Sequence, residues 1–108
     1  MDEAQKNWWA DNLSVWAMEV ALHKAMVKAG SNPEDVELFS WEDRTDPYAD
    51  YTGVRVVTED DDLRERAVRF LTTYISRRHT QARKLGVQLQ GYPRGEDVVT
   101  LARYSLGD

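Results

Sequence analysis

The chain has 108 residues, a net charge of −5 and no cysteine. That length suits one domain with its own core, and the missing cysteines exclude disulfides, thiolate metal sites and a thiol nucleophile. Met1-Asp2-Glu3 does not begin a secretion signal and no apolar run nears the roughly 20 residues of a membrane span, so a soluble cytoplasmic protein with no membrane partner is expected.

The charge is unevenly placed. Residues 1–62 hold 5 Lys/Arg against 15 Asp/Glu, whereas residues 63–95 hold 8 against 1. Such a split means either an acidic and a basic surface on one domain or two segments that neutralise each other.

Residues 4–29 read as a helix stopped by Gly30, a residue that tolerates the left-handed C′ position. One apolar stripe is Trp9, Leu13, Trp16, Val20 and Val27; a second is Trp8, Val15, Met18, Leu22 and Met26. A surface helix needs only one such stripe. A helix of about 40 Å with two is hard to cover in so small a domain. Either part of it is a partner surface, with a homo-oligomer through this helix, or the helix breaks near Asp11-Asn12 with Asp11 as cap.

Ser31 to Asp35 reads as a turn or a single helical turn, with Asn32 as cap and Pro33 in the first position. Residues 36–41 and 53–58 alternate as strands around a polar loop, 42–51. The acids of that loop do not fit the alternate-position spacing of an EF-hand, and no metal is expected. With Glu34, Asp35 and Glu37 the loop could form an acidic docking surface. Asp62 with Glu65 resembles a capping box opening a helix over 63–85, stopped by Gly86. Residues 87–90 form a short strand, residues 91–95 a turn, and residues 98–106 a strand that pairs back on 87–90.

The order α-β-β-α-β-β points to a single α+β domain over 1–108. It has a four-stranded, mostly antiparallel sheet with two helices on one face, as in a ferredoxin-like unit permuted by one strand. Val36, Leu38, Val54, Val56, Val87 and Leu89 would face the helices. Phe39, Trp41, Arg55, Val57 and Tyr104 would line the opposite face, a composition that suits a protein interface or, less well, stacked bases.

The basic helix carries Arg66, Arg69, Arg77, Arg83 and Lys84 opposite its apolar arc, while Arg78 falls inside the arc and calls for a partner or a pocket. No Walker, G-x-S-x-G, G-x-G-x-x-G or H-E-x-x-H motif occurs, and His23 and His79 lie on different helices. The reading is therefore a non-enzymatic protein-interaction module without a cofactor, a small bacterial or phage-type adaptor or inhibitor. Trp8, Trp16, Phe39, Trp41, Arg55, Arg66, Arg69, Arg77, Arg83 and Lys84 would contact the partner. Nucleic-acid or phosphate binding through 63–85 is the alternative, disfavoured by the acidic remainder.

Overall fold

A computed structural model describes residues 2–45 and 51–105, the side chains of 103–105 excepted. The expectations for Asp46 to Asp50, for the Tyr104 side chain and for Leu106 lie outside the described residues.

The first helical region is two helices, α1 (Glu3–Leu13) and α2 (Val15–Lys28). The break falls at Ser14 and corrects both the continuous helix and the Asp11 cap. Ser14 is extended, and its hydroxyl accepts from the Ala17 amide at 3.1 Å, so it caps α2. A short 3-10 turn, Pro33–Asp35, follows with the Asn32 side chain as its cap, as expected. Strands β1 (Glu37–Asp43) and β2 (Tyr51–Val57) form an antiparallel pair.

The second helical region is also divided, into α3 (Asp61–Ser76) and α4 (His79–Lys84). Its cap is Asp60, whose carboxylate accepts from the Leu63 amide at 3.1 Å, and not Asp62. The division at Arg77-Arg78 has a local cause. The Arg78 amide bonds back to the Ile75 carbonyl, three residues away, and the Tyr74 carbonyl accepts from the Arg78 guanidinium instead, at 2.9 Å. A side chain has taken the place of a helical main-chain donor.

Strand β3 (Val87–Arg94) is longer than expected. The turn read at 91–95 is strand as far as Arg94, because β3 is an edge strand, where the missing amide of Pro93 costs no ladder bond. Strand β4 (Val98–Ser105) inserts between β2 and β3, giving the order β1-β2-β4-β3 with antiparallel neighbours throughout. A ferredoxin-like unit with its first strand moved to the end has the same order, a likeness of connectivity alone.

The helices pack on one face of the sheet. Met18, Leu22 and Met26 of α2, Leu63, Ala67, Leu71 and Ile75 of α3, and Leu38, Val54, Val56, Val87, Leu89, Val99 and Leu101 of the strands form the core. The α1 helix straps across the second helical region. Gln5 Nε2 donates to the Leu85 carbonyl, Trp8 Nε1 donates to Gln81 at 3.2 Å, and the Tyr74 hydroxyl donates to the Asn12 carbonyl at 2.7 Å. Among the described residues, no helix is long and apolar enough to cross a membrane.

Candidate protein-docking site

The break at Ser14 gives the two apolar stripes different fates. On α2 the Met18, Leu22 and Met26 stripe is buried. The face opposite carries Trp16, which is 72% exposed, and Val27, which is 63% exposed, with Val20 and His23 between them.

Two contacts fix that face outward. The Glu19 carboxylate accepts from the Leu38 amide at 3.0 Å, and His23 Nε2 bonds the Val36 carbonyl at 3.1 Å. Glu19 and His23 stand one turn apart; Glu19 holds the free edge of β1, blunting an exposed strand edge, and His23 holds the residue that leads into it. Sequence reasoning passed over this pair, although the i, i+4 spacing was visible. Val20, His23, Lys24 and Val27 then line a shallow hollow of about 400 Å³ beside Trp16.

The other residues singled out from the sequence are scattered. Trp8 is half-buried in the contact of α1 with α4, so it is part of the fold and not a free anchor. Phe39 and Val57, 50% and 45% exposed, form a second small apolar patch on the sheet face away from the helices. On that face Trp41 and Arg55 are already engaged. The Arg94 guanidinium lies 5.0 Å from the Trp41 ring and 5.5 Å from the Tyr51 ring, and Arg55 lies 3.7 Å from Asp97.

The charge split partly cancels within α3. Arg66 pairs with Asp62 at 3.2 Å, Arg69 with Glu65 at 2.9 Å, and Arg64 with Asp61. Arg77, Arg83 and Lys84 are exposed and make no ion pair among the described residues. Arg78 has no acidic partner among the described residues either; its guanidinium stacks 3.2 Å from the centre of the Tyr74 ring. Glu34, Asp35 and Glu37 gather with Glu59 and Asp60 around Val57, and not with the described part of the 42–51 loop. Among the described residues, no three of His, Asp and Glu converge closely enough to hold a metal ion.

On α2 large apolar side chains stand outward beside a hollow, and among the described residues Trp16 and Val27 are the most exposed of their kind. Such an arrangement can dock an apolar surface. A scan against family models, a search of curated proteins and a search of solved structures found no match to this chain.

Proposed function

We propose that this chain is a non-enzymatic protein-interaction module, of the small adaptor or inhibitor kind, that docks through the outward face of α2. The observation that carries the reading is the exposure of Trp16 and Val27 on the side of α2 opposite its core stripe. Burying Trp16 removes on the order of 150 Å² of apolar surface from water, about 4 kcal/mol at about 25 cal/mol per Å². Association costs of roughly 4–15 kcal/mol exceed that, so Val27, Val20 and the polar rim must add to it. Tryptophan is the kind of anchor that dominates interface energetics.

The test uses the immobilised chain beside its Trp16→Ser and Val27→Ser variants in an extract of cells that make it. A protein held by the parent chain and lost from both variants is the expected result. The same proteins on all three would overturn the reading.

A second reading rests on Arg77, Arg83 and Lys84, whose charges no described acid neutralises. These residues suit phosphate oxygens. The reading predicts binding to a short single-stranded DNA or RNA at low salt that falls steeply as salt rises. Arg77→Ala would weaken it, whereas Arg69→Ala, already paired with Glu65, would change it little. No binding at low salt sinks it.

A further inference from the structure

We infer that the occupant of the α2 face is a second copy of this chain, with the two α2 helices packed antiparallel across a two-fold axis near Val20. The inference rests on the docking role proposed above and names its partner.

The face is self-complementary. Val20, His23, Lys24 and Val27, which line the hollow, stand at i, i+3, i+4 and i+7. Four residues so spaced form the hole that receives one knob from a facing helix. Trp16, one turn before Val20 on the same face and 72% exposed, has the projection of a knob. The hole is centred between His23 and Lys24, and Val20 lies halfway from there to Trp16. An antiparallel pair with its axis at Val20 therefore sets each Trp16 into the other copy's hole. One patch then makes both contacts, as an isologous interface requires. A parallel pair would set Trp16 beside Trp16 and leave both holes empty.

One wall of the hollow is held in place by the fold. A carbonyl oxygen only accepts, so the bond to Val36 makes Nε2 of His23 the donor and holds the imidazole in place. Lys24 on the rim places an ammonium beside the incoming ring, a cation–π arrangement. The two copies of Lys24 stand about 12 Å apart along the helix axis, beyond a Debye length of about 8 Å at physiological salt. Glu19, the acid on this flank, is held by the Leu38 amide.

The area sets the strength. Two Trp16 side chains with Val27, Val20 and their rims bury roughly 1,000 Å² in total, the low end for a specific interface. The dimer is accordingly weak and reversible, with a Kd on the order of micromolar or above.

Sedimentation equilibrium of the full chain from about 1 μM to 1 mM reads this directly. Dimerisation that Trp16→Ser weakens at least tenfold, with an unchanged melting curve, is the expected result. The chain has no cysteine of its own, so single cysteines report geometry without background. Oxidised Val20→Cys should cross-link, because its counterpart sits across the axis. Lys28→Cys should not, lying about 25 Å from its counterpart. A monomer throughout the range, a dimer indifferent to Trp16→Ser, or cross-linking through Lys28→Cys but not Val20→Cys overturns the inference. A monomer that still captures a Trp16-dependent partner from extract leaves the docking role standing and removes only the self-pairing.

Discussion

Arg94 and Asp43 form an ion pair at 2.9 Å although they belong to the two opposite edge strands of the sheet. Two strands lie between them, and in a flat sheet those edges would be about 14 Å apart. Their contact shows that the sheet coils toward the face away from the helices. The Arg94 guanidinium also lies near the rings of Trp41 on β1 and Tyr51 on β2, so the clasp includes two aromatics of this face. This face is therefore partly closed by its own side chains around Trp41, while Phe39 and Val57 stay half-exposed. Among the described residues the most exposed large apolar side chains are instead those of α2, Trp16 and Val27.

The clasp predicts an acid-sensitive contribution to stability. The Thr45 hydroxyl and then the Thr45 amide, at 2.6 and 2.9 Å, hold the Asp43 carboxyl below its ordinary value; partial burial opposes them, and Arg94 adds to them. A carboxylate with a lowered folded-state pKa stabilises the fold above its unfolded pKa and loses that contribution as pH falls through the folded one. Asp43→Asn should lower the melting temperature at pH 7. The difference from the parent chain should shrink below about pH 4. Thermal melts from pH 2 to 7 check this, and a difference constant across that range contradicts the role given to Asp43.

Gly53 and Thr100 face each other in the β2–β4 ladder, and substitutions there should have opposite signs. A Cβ on Gly53 would run into the Val99 carbonyl oxygen, which is backbone and cannot swing aside. Gly53→Ala should therefore cost about 2–3 kcal/mol or more. Thr100 is fully buried and its hydroxyl has no hydrogen-bond partner among the described residues. Thr100→Val removes the unpaired hydroxyl at nearly the same shape and should stabilise by about 1 kcal/mol. Urea denaturation of both variants gives the two signs. A destabilised Thr100→Val would mean that the hydroxyl has a partner.

The caps give a sharper contrast. Asp60 and Asp62 are two residues apart and of identical chemistry, yet Asp60 accepts from the Leu63 amide while Asp62 makes an exposed pair with Arg66. Asp60→Ala should cost about 1 kcal/mol. Asp62→Ala should stay within about 0.5 kcal/mol. Equal losses in denaturant would show that the boundary of α3 is not where Asp60 sets it.

What the sequence made legible follows from period and from glycine. Val54 with Val56, and Val87 with Leu89, alternate strictly and are buried on the helix side as that alternation requires. Gly30 and Gly86 stop their helices with φ of 81° each, a conformation other residues rarely adopt. From the sequence the first helix break reads two to three residues early, near Asp11-Asn12, and the second is not read, each for a physical reason. Ser14 lies in a strip of alanines on the helical wheel, where a small residue gives no periodicity signal, and only its hydroxyl's bond to Ala17 reveals the cap. Likewise Arg78 keeps the period of the arc, and the rerouting of its side chain to the Tyr74 carbonyl is a competition between donors that no pattern displays. In the candidate site Trp16 was legible as a surplus apolar residue. The hole beside it was not, because its four residues differ in polarity and share only their spacing.

Trp8 and Trp16 test the division of the first helical region most directly. Both belong to apolar stripes of what reads as one helix, but the break at Ser14 sends Trp8 onto Gln81 and leaves Trp16 in solvent. Trp8→Ala removes a half-buried ring and a hydrogen bond and should cost roughly 1–3 kcal/mol. Trp16→Ser removes a side chain that contributes little to the folded monomer and should change unfolding by no more than about 0.5 kcal/mol. The order inverts for association: Trp16→Ser should abolish capture of a partner, and Trp8→Ala, measured well below its melting temperature, should leave it intact. Denaturation and capture on the same two variants separate a residue that holds the fold from one that offers a surface. If Trp16→Ser instead unfolds the chain at low concentration, its ring belongs to the monomer core and the docking face is lost with it.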